Sequence, residues 1–289
     1  MNKPLFTGVC TALVTPFLGG RVNYPMMEQL LARQIEAGIT TIVLAGTTGE
    51  ASTLNDSEKL EMFRRAKEFT GDACTIIAGT GSNDTSHALK LSTAAADCGA
   101  DALLIVSPYY NKANNDGLIA HYTTIARQIP LPIIVYNVPS RTGIDIPVSV
   151  YKALSTIPNI VGIKEASESI TKVTKIRNAC RSGLTVWSGN DDQAVPVISL
   201  GGQGLISVIS NVKPFETAAM VNAALDGDFD TAADLQEKLQ PLCDLMFCEV
   251  NPIPVKAAMK CIGYDCGGCR LPLGNISAEN HEKLRNYFV

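Results

Sequence analysis

Short runs of β-branched and other hydrophobic residues recur along the chain, and each run is followed by a stretch with helical spacing. The stretches at 26–38 and 57–71, for example, place hydrophobic residues three and four positions apart and end at a glycine suited to a helix C-terminus. Each hydrophobic run has the length of a buried strand and is bounded by turn residues. These runs occupy residues 8–16, 40–49, 74–81, 100–110, 131–140, 160–167, 184–191 and 204–211.

This alternation predicts an α/β fold, a (β/α)8 TIM barrel. Strands that alternate with helices pair in parallel through right-handed crossovers. Eight such units fit a closed barrel better than an open doubly wound sheet, which remains the alternative. After residue 212 the pattern predicts helices only, and no flexible linker precedes them. We therefore expect a barrel catalytic domain at 1–226 and a C-terminal helical region, 227–289, packed on it.

Composition narrows the classes of function. The 289 residues are 46% hydrophobic and carry a net charge of −4, with both signs scattered along the chain. This argues against a nucleic-acid surface or a basic membrane patch, and no apolar run is long enough to span a bilayer. An odd number of cysteines, nine, without a clear export signal indicates reduced thiols. We expect a cytoplasmic protein.

Lys164 is the most informative candidate residue, because barrel enzymes carry their reactive groups at the C-terminal ends of the strands. The strand period of two puts Val161 and Ile163 on the helix-covered face and directs Gly162 and Lys164 into the barrel. Partial desolvation there favours the neutral amine, which is a nucleophile towards carbonyls and can form a Schiff base. The alternative is an ordinary strand-end lysine in solvent, and the spacing alone leaves it open.

Two neighbouring segments add weaker signals. Tyr136 ends a hydrophobic strand, and its phenol fits either proton transfer or an amphipathic core position. Arg141 follows in the next turn, where its guanidinium is either simply solvated or a bidentate partner for a carboxylate. The turn at 46–50, GTTGE, offers free backbone N–H groups to an anion but lacks the ending of a nucleotide-binding loop.

A metal site is the main competing interpretation of the C-terminal region. Cys261, Cys266 and Cys269 have a spacing seen in iron–sulfur proteins. They lie in predicted helical sequence away from the strand ends, where free cysteine often serves as a small hydrophobic residue. The three histidines lack the spacing of zinc ligands. We therefore predict no metal and no cofactor.

Several short motifs, taken in order, resemble the dihydrodipicolinate synthase family of pyruvate-dependent Schiff-base aldolases. The resemblance runs along essentially the whole chain and is carried by GTTGE, AGTGSN, SPYYNK, YNVPSRTG, GIKEAS, GLISVISN, NPIPVK and CRLPLG. It implies condensation of pyruvate with L-aspartate-4-semialdehyde in lysine and diaminopimelate biosynthesis. No metal or organic cofactor takes part in that chemistry.

The same resemblance implies roles for individual residues. Lys164 stands where the family's lysine condenses with pyruvate, and a proton relay is expected from Tyr136, Thr47 and Tyr110. The family's second tyrosine comes from a neighbouring subunit, so Tyr110 implies a homo-oligomer of at least two chains, and the family is commonly tetrameric. The implied substrate-binding residues are Thr48, Ile206, Arg141 and Gly189.

Arg141 also bears on the choice between family members. In the resemblance it anchors the carboxylate of the semialdehyde, whereas the sialic-acid lyases of the family usually differ in this loop. An N-acetylneuraminate lyase-like aldolase is therefore the lesser alternative. A third possibility, from another class, is a non-catalytic barrel that binds small anions without forming a covalent adduct.

The chain departs from the family pattern where inhibited members bind lysine. Those members typically carry histidine in place of Lys59 and glutamate in place of His87. A cation at position 59 repels the ammonium groups of lysine, and the missing glutamate removes a partner for one of them. We therefore expect weak inhibition by lysine or none. The matching positions are Ala51, Ser52, Asp56, Lys59, Asn83, His87 and Tyr109.

Overall fold

The barrel is present with all eight predicted strands in parallel order. The structure is a computed structural model that describes residues 3–181 and 183–288, so the expected domain limits at 1 and 289 lie outside the described residues. The strand β1 pairs with both β2 and β8, which closes the sheet and rules out the open-sheet alternative. The strands are β1 (Gly8–Ala12), β2 (Thr41–Leu44), β3 (Thr75–Gly79), β4 (Ala102–Val106), β5 (Ile133–Asn137), β6 (Ile160–Glu165), β7 (Thr185–Ser188) and β8 (Gly204–Ser207).

One helix follows each strand around the outside of the barrel. A single-turn helix, Pro139–Thr142, precedes the helix after β5, and a small hairpin, Phe17–Leu18 with Arg21–Val22, follows β1. The outer helices are α1 (Tyr24–Glu36), α2 (Asp56–Thr70), α3 (Thr85–Asp97), α4 (Asn115–Ala126), α5 (Val148–Leu154), α6 (Ile170–Cys180), α7 (Ala194–Ser199) and α8 (Pro214–Leu225).

Local sequence explains where these helices begin and end. Helix α2 starts in a capping box, in which the Asn55 side chain accepts from the Glu58 N–H and the Glu58 carboxylate accepts from the Asn55 N–H. It ends at Gly71, and α1 is followed by Gly38; both glycines have positive φ, which a residue with a side chain rarely adopts. The two predicted helix ends are confirmed.

The inside of the barrel is a packed core rather than a channel. Trp187 of β7 is fully buried and stacks on Phe6, with ring centroids 4.7 Å apart. Its Nε1 donates to the Phe6 carbonyl at 3.2 Å. A Cβ on Gly162 would lie 2.4 Å from Cζ3 of Trp187, so glycine at this position makes room for the indole one layer below Lys164.

The prediction for the two faces of β6 is correct for Ile163 and wrong for Val161. Ile163 lies in the core between strands and helices, whereas Val161 packs against the core inside the barrel. The register of β6 against β5 shifts between Ile133 and Ile134, where Ile160 and Gly162 are their partners. Val161 is the extra residue of this bulge, so the period of two breaks there.

Three further helices complete the chain: α9 (Phe229–Met246), α10 (Ile253–Cys261) and α11 (Ala278–Tyr287). Helix α9 packs against α8, and α10 packs against α11. Ion pairs between this region and the barrel include Lys256 with Glu50 at 2.8 Å and Arg270 with Glu58 at 2.5 Å. No helix within residues 3–181 and 183–288 combines the length and hydrophobicity that a bilayer span requires.

Candidate active site

A cavity of about 270 Å³ opens at the C-terminal ends of the barrel strands. This is the end at which barrel enzymes place their chemistry. Residues from the barrel and from the C-terminal helical region both contribute to its wall. The predicted site residues that line it are Thr47, Thr48, Tyr136, Arg141, Lys164 and Gly189.

Lys164 lies deep in this cavity, with only 5% of its surface exposed. It is paired in register with Tyr136 on the neighbouring strand, and its Nζ lies 4.5 Å from the centroid of the Tyr136 ring. In the described part of the chain, no carboxylate forms an ion pair with Lys164. Because Lys164 lines the cavity, its amine is accessible to a small carbonyl compound that enters there. The prediction that Lys164 points into the barrel mouth is confirmed.

Gly189 leaves the space that the lysine side chain occupies. A Cβ at this position would lie 3.1 Å from the Lys164 Cε and 2.7 Å from the Ala166 Cβ. A larger residue would collide with Ala166 and displace the end of the lysine side chain, so packing favours glycine here. The backbone N–H of Gly189 is already used, donating to the Glu165 carbonyl at 2.7 Å.

Two predicted carboxylate-binding groups meet around Asn251. The Nδ2 of Asn251 donates to the Thr48 Oγ1 at 3.0 Å, and the Arg141 Nη2 donates to the Asn251 carbonyl oxygen at 3.1 Å. Thr48 is 2% exposed and belongs to the turn after β2, while Arg141 belongs to the single-turn helix after β5. The arrangement presents a hydroxyl and a guanidinium on the same wall of the cavity.

Two predicted site residues do not line the cavity. The side chain of Tyr110 is 90% exposed, and the residue has a positive φ of 71°. Ile206 is fully buried in the core inside the barrel, so only its backbone can face a ligand.

Sequence reasoning missed Asp191, a buried carboxylate just after β7. It accepts from Ser207 Oγ at 2.6 Å and from the Val208 N–H at 3.0 Å, which fixes the end of β8. Burial raises the pKa of Asp191 to about 6, and the positive charge of Lys164 acts in the opposite direction. An acidic residue at the end of a predicted strand run, 184–191, was the available signal.

A second buried network braces β6 next to the lysine. Glu165 Oε1 accepts from Asn137 Nδ2 at 2.8 Å and from the Ser167 N–H at 2.9 Å, and Tyr151 donates to Oε2 at 3.3 Å. Burial, together with the negative charge of Glu165, raises the pKa of Tyr151. Satisfied buried hydrogen bonds of this kind hold a strand end in one position.

Six of the seven residues expected to contact lysine line an adjacent cleft of about 450 Å³. This cleft shares Thr47, Tyr136 and Arg141 with the first cavity. Within it, His87 Nε2 lies 3.0 Å from Asp56 Oδ2. The pKa of Lys59 is lowered because the side chain is buried, and the negative charge of Asp56 offsets only part of this effect. The predicted effector residues that line the cleft are Ala51, Ser52, Asp56, Lys59, His87 and Tyr109. Asn83 does not line it; its carbonyl oxygen accepts from Asn111 Nδ2 at 2.9 Å.

The described residues bring together no group of three or more histidine, cysteine, aspartate or glutamate side chains that could hold a metal ion. The nine cysteines, all of which are described, are free thiols. Cys266 is fully buried, as expected for a cysteine that serves as a small hydrophobic residue.

Comparison with known proteins gives relatives along nearly the whole chain. A curated relative from Acetivibrio thermocellus, named 4-hydroxy-tetrahydrodipicolinate synthase, is 46% identical over 285 residues, which cover 99% of this chain and 97% of the relative. A crystal structure of the chloride-inhibited dihydrodipicolinate synthase from Acinetobacter baumannii, complexed with pyruvate, is 41% identical, with a TM-score of 0.95 and 97% of each chain covered.

A further solved structure, from Cyanidioschyzon merolae, has lysine bound. It is 40% identical, with a TM-score of 0.95, and the match covers 98% of this chain and 97% of that one. A family model described as the dihydrodipicolinate synthetase family matches residues 5–288. The chain belongs to the dihydrodipicolinate synthetase family.

Proposed function

We propose that the chain condenses pyruvate with L-aspartate-4-semialdehyde through a Schiff base on Lys164, as a step of lysine and diaminopimelate biosynthesis. The observation that carries this proposal is the buried amine of Lys164, which forms no ion pair with a described residue and lies beside Tyr136 in a cavity whose wall presents Thr48 and Arg141. The names of the relatives agree with this reaction, and the relative from Acinetobacter baumannii is complexed with pyruvate.

The site residues suit each step of this reaction. The neutral Lys164 amine attacks the pyruvate ketone, and loss of water leaves an iminium that withdraws electrons from the adjacent methyl group. A proton leaves that methyl group, and the resulting enamine attacks the aldehyde of the second substrate. The amine of the bound semialdehyde then closes the ring and displaces Lys164. We assign the proton transfers in these steps to Tyr136, whose ring lies beside the amine, acting in a chain with Thr47.

We propose that Tyr110 completes this chain in a neighbouring subunit. Its side chain is exposed and lies outside the cavity of its own chain, as a donated residue would. The protein would then be a homo-oligomer of at least two chains, and we propose a tetramer. We also assign pyruvate carboxylate binding to Thr48 with the backbone at Ile206, and place Gly189 beside the adduct.

We further propose that residues 1–226 form the catalytic unit, that 227–289 form a region packed on it, and that the protein works in the cytoplasm without binding nucleic acid or membrane. The support for the compartment is the set of nine free cysteines, because thiols stay reduced in that environment.

Trapping with borohydride tests the proposed function. Pyruvate followed by borohydride is expected to modify Lys164 in the wild type, as read by peptide mass mapping. Arg141→Ala should form the same adduct, because the arginine is assigned to the second substrate, yet show a KM for the semialdehyde raised on the order of tenfold to a hundredfold. An Arg141→Ala protein that cannot form the adduct would show that the assignment of Arg141 is wrong. Faster turnover of N-acetylneuraminate than of the proposed substrates would favour the lyase alternative.

We propose that lysine inhibits this protein weakly or not at all. Lys59 is buried in the cleft where the lysine ammonium groups would have to lie, and His87 is already engaged with Asp56. The expected inhibition constant for lysine is above about 1 mM. Lys59→His combined with His87→Glu should strengthen inhibition, because the repulsive charge is removed and an attractive one is added. A measured inhibition constant for lysine below about 1 mM would contradict the proposal.

A further inference from the structure

Asn251 stands between the two groups that face the substrate carboxylates. It lies in the connection between α9 and α10, is 4% exposed, and lines the cavity. Its side-chain Nδ2 contacts Thr48, and its main-chain carbonyl contacts Arg141. The two contacts therefore use different parts of the residue, and substitution of the side chain removes only the first.

The contact with Thr48 determines which way that hydroxyl points. A threonine hydroxyl has one hydrogen to donate and two lone pairs that accept. Because Thr48 Oγ1 accepts from Asn251, its hydrogen remains available, and no acceptor for it occurs among residues 3–181 and 183–288. Because Thr48 lines the cavity, this hydrogen is available to a ligand there, and the hydrogen bond that the hydroxyl accepts strengthens its donation.

The side-chain amide of Asn251 has one polar atom whose burial is unfavourable for stability. Its oxygen, Oδ1, is buried and receives no hydrogen bond from any described residue. A buried acceptor without a donor is unfavourable, and a hydrophobic residue of similar volume would avoid the penalty. Packing alone does not account for asparagine at this position.

We infer that Asn251 is a positioning residue that fixes the polarity of the Thr48 hydroxyl, so that Thr48 donates its hydrogen to the carboxylate of the keto acid bound at Lys164. The inference rests on the proposed function, because it takes the keto acid to be the ligand. It assigns to the C-terminal helical region a role in recognising the first substrate. Arg141, which is assigned to the second substrate, contacts only the main chain of Asn251. Substitution of the Asn251 side chain should therefore leave binding of the second substrate unchanged.

Two substitutions of Asn251, together with Thr48→Val alone and combined with Asn251→Ala, test this inference. The measurements are the pyruvate concentration needed for half-maximal borohydride-trapped adduct and the KM of each substrate. Asn251→Ala is expected to raise both pyruvate quantities about three- to tenfold, and to leave the KM of the semialdehyde within about twofold. Asn251→Asp should be worse, at roughly thirtyfold or more, because a carboxylate accepts the Thr48 hydrogen and repels the ligand. In a Thr48→Val background, Asn251→Ala should add no further effect.

The outcomes separate the inference from simple packing and from the proposed function. A structural role predicts that the isosteric Asn251→Asp is milder than Asn251→Ala, and that the effects of Thr48→Val and Asn251→Ala add; either result would overturn the inference. An equal rise in the KM of pyruvate and in the KM of the semialdehyde would also overturn the inference. Absence of a trapped adduct in the wild type would instead overturn the proposed function and the inference with it. Thermal unfolding of each variant checks that the loss is not loss of fold.

Discussion

Lys164→Arg is expected to lower kcat on the order of 10⁵-fold or more and to abolish the borohydride-trapped pyruvate adduct. Arginine preserves the positive charge and much of the length of the side chain, but its guanidinium stays protonated and is not a nucleophile towards carbonyls. Loss of a covalent nucleophile removes the whole route through the iminium rather than one hydrogen bond within it, which explains the size of the effect. Single-turnover kinetics with pyruvate and the semialdehyde measures it.

The matched control is Lys175→Arg, which makes the same exchange at an exposed position on α6, the helix that follows β6. It should retain wild-type kinetics and the adduct at Lys164. A Lys164→Arg protein that still traps pyruvate would place the reactive amine elsewhere. Unchanged thermal unfolding of both variants would show that the loss is chemical.

Lys256→Met is expected to destabilise the protein by about 3–5 kcal/mol. Lys256 Nζ and Glu50 Oε1 are 2.8 Å apart, and the two side chains are 2% and 0% exposed. The substitution leaves the Glu50 carboxylate buried with two neutral partners, the Arg270 N–H at 2.8 Å and the Cys269 thiol, and without a positive charge beside it. Because Glu50 ends the turn that carries Thr47 and Thr48, activity should also fall. Chemical denaturation monitored by circular dichroism gives the change in free energy of unfolding.

A double variant, Lys256→Met with Glu50→Gln, isolates the buried charge. It should recover most of the lost stability, because the amide oxygen of glutamine still accepts from the Arg270 N–H while no charge is left without a partner. A single variant that costs less than about 1 kcal/mol, or a double variant no more stable than the single one, would show that the pair is solvated.

Much of the fold follows from periodicity. All eight strand runs and the C-terminal helices are present because a buried parallel strand and an amphipathic helix leave different spacings in the sequence. Val161 is the instructive error. Its side chain faces the wrong way for a regular strand because the bulge arises from pairing with β5, which the local pattern of β6 does not contain.

The site is predictable in part, for a related reason. Lys164, Tyr136 and the turn after β2 stand at strand ends, so the barrel topology brings them together. Asn251 comes from a helical region far along the chain, and its approach to Thr48 depends on how the C-terminal helices pack. Asp191 was detectable as an acidic residue after a strand, but its burial follows only from the closed barrel.

The Phe6–Trp187 stack fills the barrel below Lys164, so reactants approach the amine from the end of the barrel at which the strands finish. A semialdehyde that enters after pyruvate would therefore lie between the pyruvate adduct and bulk solvent. An acceptor that lodges at Arg141 would shield the enamine from wasteful protonation by water. Because the Phe6–Trp187 stack blocks the barrel below Lys164, a bound second reactant would cover the enamine from the remaining, open side.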